Sequence, residues 1–157
     1  MADRDTVTTE VVLDLVVPGG PPLPVAADLR YDRLDPWAVR VVFRTGGRGD
    51  GTVVWTFARS LLSDGVGTVV GEGDVRVWPA TRTAAGSSAT GSAGAGSTAD
   101  HERIVNLAMA SPSGEALFEL RRDDLVAFLQ QTYLAVPTGA ERQAVDLDAE
   151  LAVLLGG

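Results

Sequence analysis

From Thr6 to Val17 the chain alternates: Val7, Val11, Leu13, Leu15 and Val17 are apolar at odd positions, with Thr6, Thr8, Glu10 and Asp14 between them. A period of two sets one face of an extended strand against a core and the other toward water, a pattern that a helix cannot use. "VPGGPPLP" ends this first strand, because proline lacks the ladder N–H and glycine favours turns. The same grammar recurs down the chain. "PVAADLRY" and "AVRVVFRT" are expected as the next two strands, joined by the turn "DRLDP". "GGRGDG" (Gly46–Gly51) then leads as a hairpin connection into "TVVWTFA", where Val53, Trp55 and Phe57 share a face. The Arg48-Gly49-Asp50 tripeptide matches an integrin-binding motif, but a glycine-rich turn explains it without a receptor.

"ARSLLSDG" is expected as a short helix with Leu61 and Leu62 on its apolar edge and Gly65 as its C-terminal cap. "GTVVGEG" and "DVRVWP" read as a further strand pair, with Val75 and Val77 toward the core, Asp74, Arg76 and Trp78 on the reverse face, and Pro79 as the stop. "GVGTVVG" is not a dinucleotide fingerprint: its third glycine is one residue late and no strand-turn-helix unit surrounds it. Every residue from Ala84 to Ala99 is Ala, Gly, Ser or Thr, so a disordered loop is expected at about 81–101 within a single domain spanning 1–157. "ERIVNLAMA" is apolar on both faces and reads as a central strand covered on both sides; "SPSG" turns it into "EALFEL".

The period then changes. In "RRDDLVAFLQQTYLAVP", Asp123 is the expected cap, Leu125, Phe128, Leu129 and Thr132 share a helical face, and Pro137 with Gly139 ends it. A last helix, "DLDAELAVLL", groups Leu147, Leu151, Leu154 and Leu155 behind Asp146 and Asp148. The order predicts an α+β fold in which curved antiparallel β-sheets carry one short mid-chain helix and two C-terminal helices.

Composition narrows the chemistry. The 157 residues include no cysteine, which excludes disulfides, thiolate nucleophiles and cysteine-ligated zinc. Every basic residue is arginine, which excludes a P-loop or Schiff-base lysine. With a net charge of −8 and scattered arginines, nucleic acid is a poor partner, since phosphate contacts need clustered cations. His101, the single histidine, sits beside Glu102 at a loop edge, a poor place to hold a general base. Asp123 and Asp124 point to different sides of a helix, Asp146, Asp148 and Glu150 suit a helix start, and Ser111 and Ser113 bracket a turn proline with no Gly-x-Ser-x-Gly elbow. No catalytic residue, cofactor or metal is expected. The N-terminus is polar and acidic and no apolar run approaches a membrane span, so a cytoplasmic chain without direct membrane insertion is expected.

The ordered stretches "LPVAADLRYDRLDPWAVRVVF", "VVWTFARSLLSDG", "GDVRVWP", "LAMASPSGEALFEL" and "FLQQTYLAVPTGAERQAVDLDAEL" span almost the whole domain. Together they resemble the SsgA-like family of actinobacteria, regulators of sporulation-specific cell division, nearest its SsgB branch. The resemblance implies a non-enzymatic cytoplasmic protein, concentrated at the division septum, that positions the tubulin-like FtsZ and supports its assembly. It also implies a Whirly-like fold, a homotrimer, and other SsgA-like division proteins as partners. Ser60 departs from the family pattern, which often has an acid after "FAR", and the Ala/Gly/Ser/Thr stretch is longer than the family's. Trp78, on a charge-bearing strand face, is expected to pack on a neighbouring element before a subunit or partner interface or a ligand site; with Arg76, Trp37 and Tyr31 it is a candidate interface position. The alternatives are a single-stranded nucleic-acid-binding protein of Whirly-like fold and a small-ligand-binding barrel.

Overall fold

The computed structural model describes residues 6–44, 51–83, 101–142 and Leu154. Strands β1 (Thr6–Leu15), β2 (Leu23–Asp32), β3 (Ala38–Arg44) and β4 (Thr52–Ala58) form one meander. Helix α1 (Arg59–Gly65) leads to a second meander of β5 (Val70–Glu72), β6 (Val75–Thr83), β7 (His101–Ser111) and β8 (Gly114–Arg121), and α2 (Arg122–Ala135) follows β8 directly. All eight strands form one antiparallel sheet in the order β4-β3-β2-β1-β8-β7-β6-β5.

That order forces the sheet to curl, because α1 must link its two outermost strands. A seven-residue helix rises about 10 Å and the four residues after it reach about 14 Å at most. The edges of a flat eight-stranded sheet would lie about 33 Å apart. The seam between the two meanders is correspondingly short. β1 and β2 pair from Thr6↔Asp32 to Leu15↔Leu23, whereas β1 and β8 pair only at Asp14↔Glu119 and Leu15↔Phe118. Beyond the seam the halves splay, and α2 docks on β1, β7 and β8 with Leu125, Phe128, Leu129 and Thr132 buried.

The register aligns the alternating apolar residues on one concave face. Leu13, Ala27, Leu29, Val41 and Phe57 line it from the first meander, and Val77, Val105, Leu107 and Leu120 from the second. Leu61 and Leu62 of α1 close the core at the same end as α2.

Several local expectations are corrected. Pro79 does not stop its strand: β6 runs on to Thr83, with Pro79 opposite Val105. β5 reaches along β6 only to Val70↔Val77, so beyond it β6 is an edge strand, where a missing N–H is tolerated. Gly65 is not a left-handed cap. The helix ends on Val66 in right-handed conformation, and a Cβ on Gly65 would clash with Cγ1 of Val77. Close approach of α1 to β6 is what requires the glycine. Asp123 is inside the first turn of α2, and Arg121 at the strand end occupies the cap position without a side-chain cap. β7 buries Val105, Leu107 and Met109 on the core face and Ile104 behind them, while Asn106, Ala108 and Ala110 on that reverse face are half-buried. The "GGRGDG" connection up to Asp50, the loop over 84–100 and the last helix, apart from Leu154, lie outside the described residues.

Candidate functional site

Among the described residues the helices fill one end of the concave face, and the other end is an open groove of about 1010 Å³. Its floor is the Phe43–Phe118 ring stack, centroids 4.7 Å apart, which joins the two meanders above their seam. Leu15, Leu23 and Val25 form one wall, Val53 and Trp55 of β4 the next, and Met109 and Ala116 the wall opposite. Leu23 and Val53 at the mouth are 53% and 45% exposed, so the apolar lining reaches solvent.

On the polar rim, Ser111, Ser113 and Arg44 already hold structural bonds, and Glu115 is exposed beside them. Ser113 donates its backbone N–H to Oγ of Ser111 at 3.3 Å, the two hydroxyls bond each other at 2.8 Å, and Ser111 donates to the Gly114 carbonyl at 3.3 Å. These bonds hold the β7–β8 turn. Arg44 donates to Asp28 at 2.7 Å and Glu10 at 3.0 Å; the Asp28 carboxylate, followed by Glu10, raises its pKa further above an already high value. Among the described residues no group of acidic or histidine side chains has metal-binding geometry. The arrangement can take up apolar surface.

Two ion clusters hold the shape around it. On the reverse face Arg82 of β6 donates to Asp14 of β1 at 2.6 Å and Glu102 of β7 at 3.0 Å, and Glu102 also takes Arg121 of β8 at 2.7 Å. Burial opposes the charge on Arg82, and the bonds to Asp14 and Glu102 outweigh it. At the helical end Arg59 is 2% exposed and donates to the carbonyls of Thr132 (3.1 Å) and Val136 (2.8 Å) and to Glu141 (2.8 Å). Its guanidinium lies 4.1 Å from the Tyr133 ring centroid and 5.0 Å from that of Tyr31.

The four expected interface residues do not form one site. Tyr31 is 1% exposed and donates its hydroxyl to the Pro36 carbonyl at 3.0 Å, so it offers no surface in the single chain. Burial pushes that hydroxyl up to about 12, against the opposing charge of Arg59. Trp37 is 48% exposed on the β2–β3 turn, and its carbonyl accepts the Arg59 N–H at 2.7 Å. Arg76 is exposed on β6, and Trp78 is half-buried on the same reverse face, opposite Asn106. Neither lines the groove. Trp55, which does, carried a usable signal in the uncharged alternation of "TVVWTFA".

The family profile described as "Streptomyces sporulation and cell division protein, SsgA" matches residues 25–96 and 94–141. The chain belongs to the SsgA family. Among its relatives, the sporulation-specific cell division protein SsgB of Frankia casuarinae is 50% identical over 98% of this chain and 94% of its own. SsgB of Streptomyces coelicolor is 44% identical over 96% of each chain. The crystal structure of the SsgA-like sporulation-specific cell division protein from Thermobifida fusca superposes with a TM-score of 0.76 at 40% identity, covering 97% of this chain and 98% of that one. This SsgA-family protein lies close to SsgB, has the curled antiparallel sheet of its relatives and has a role in sporulation cell division. Among its described residues no helix is long and apolar enough to cross a membrane.

Proposed function

We propose that this SsgA-family protein is a non-enzymatic recruiter that positions FtsZ at sporulation septa and supports its assembly. The observation that carries the reading is the open groove over Phe43 and Phe118: an apolar binding surface whose rim serines and Arg44 are committed to holding turns and strands. A self-associating scaffold, with three copies as the working stoichiometry and other SsgA-like proteins as further partners, would multiply weak contacts to a polymer through effective concentration. The chain would act in the cytoplasm and gather at the septum. Trp37, Trp78 and Arg76 remain surface positions open to subunit contacts. Single-stranded nucleic acid suits this groove poorly, because Arg44, the one cation among its described lining residues, is neutralised by Asp28 and Glu10. Sedimentation of purified FtsZ under assembly conditions tests the reading: the full chain is expected to pellet with the polymer, and a chain left in the supernatant would refute it.

A further inference from the structure

β4 is the outermost strand of the sheet, bounded by β3 on one side and by no strand on the other among the described residues. Exposed edges are ordinarily blunted by charge, proline, bulges or brevity. β4 has none of these defences. Its seven residues, Thr52–Ala58, contain no charge, proline or glycine, they pair with β3 without interruption from Ala38↔Ala58 to Arg44↔Thr52, and Val53 and Val54 are 45% and 53% exposed. It is the one strand or helix given above without a charged residue. The opposite edge, β5, is three residues long and includes Glu72.

The two faces of β4 specify what would lie beside it. On the concave face Val53 and Trp55 form the groove wall, so a strand added at this edge would direct alternate side chains into apolar space. On the reverse face Thr56 pairs with Arg40, and Arg40 pairs with Arg30, which sets two arginines directly across from each other. Arg30 reaches Asp28 only at 3.4 Å, and Arg40 is exposed with no ion pair among the described residues. An added strand would lie about 10 Å from β3, within reach of an arginine and a carboxylate extended toward each other across β4. A second copy of β4 would supply no such carboxylate.

We propose that β4 takes an extended segment of a partner protein as a ninth strand, with apolar residues at alternate positions entering the groove and an acidic residue between them meeting Arg40. Main-chain bonds would supply affinity, while the groove and Arg40 would supply selectivity. This rests on the recruiter reading and names how the groove takes hold of its partner.

The probe is a synthetic peptide of alternating valine and threonine with glutamate at one threonine position, beside a matched peptide with lysine there. Binding to the full chain is measured with amide hydrogen exchange along β4. The glutamate peptide is expected to slow exchange across Thr52–Ala58 and to bind about fivefold tighter than the lysine peptide. Arg40→Glu should reverse that preference, and Val54→Glu, which puts a carboxylate at an exposed position on the face that would carry the peptide's glutamate, should weaken the glutamate peptide about fivefold while the melting midpoint holds. Absence of protection at saturating peptide, or equal binding of the glutamate peptide by Val54→Glu, overturns the proposal. So does a fall in assembly mass in Val54→Glu by ultracentrifugation when the wild-type chain ignores the peptide, because the edge then joins copies of this chain. FtsZ sedimentation on the same variants separates the two ideas: pelleting without peptide binding sinks strand addition alone.

Discussion

Arg59 concentrates at one residue the interactions that tie the two halves of the chain together. Its fork satisfies two carbonyls at the end of α2, its charge meets Glu141, and both tyrosines of the protein lie against it. Removing one partner of a buried pair leaves the rest desolvated and unmatched, so Arg59→Ala is expected to cost about 3–5 kcal/mol in a urea titration. Arg59→Lys should recover little of it, since a point charge cannot reproduce the fork. The pH response has two limbs. Hydrogen bonds from its own backbone N–H and that of Gly139, with the Arg59 guanidinium, hold Glu141 below the ordinary 4.5. A lowered acid stabilises the fold above that ordinary value and loses its contribution as pH falls through the lowered one. The urea midpoint of the wild type should therefore drop more than that of Glu141→Gln between about pH 5 and pH 3. Tyr31 works in the opposite direction. Its hydroxyl moves from 10.0 to about 12 through burial, so its contribution is complete below 10.0 and drains as pH rises through 12. In a Tyr133→Phe background, phenolate absorbance should appear only near pH 12.

At the scale of elements, α1 is positioned by the contact of Gly65 with Val77. Gly65→Ala would push a methyl group into Val77, and a loss of about 1–3 kcal/mol in thermal unfolding is expected. Adding Val77→Ala should make the double variant less destabilised than the sum of the singles, a coupling that independent sites would not show. This contact also marks where sequence stops being sufficient. β4 was legible to its ends because alternation, a preceding glycine and a following helical run all agreed. The buried stripe of α2 was legible from its 3.6-residue spacing alone, about one turn per step. Pro79 was misread because its tolerance depends on how far β5 extends, which no residue beside Pro79 encodes. Asp123 was misread because α2 grows straight out of β8 with no turn in which to place a cap. The burial of Arg59 had no local signal, since its partners Thr132 and Glu141 lie 73 and 82 residues away.

The whole molecule is organised by one consequence of strand order. Linking β4 to β5 through α1 curls the sheet, the curl gives it a concave face, and among the described residues α1 and α2 cover one end of that face. The ion chain Asp14–Arg82–Glu102–Arg121 spans β1, β6, β7 and β8 on the reverse side and holds that curvature. Fold class was readable from periodicity, but the groove was not, because its floor pairs Phe43 with Phe118 across a curl that no local pattern specifies. The central claim is that the open end of this face is where the protein meets FtsZ. It is tested most directly by pelleting assembled FtsZ with the wild-type chain and with Val53→Asp, a charge placed at the exposed groove mouth. The wild type should pellet with the polymer and Val53→Asp should stay in the supernatant with an unchanged melting midpoint. A wild-type chain that does not pellet, or a Val53→Asp chain that pellets equally well, would contradict it.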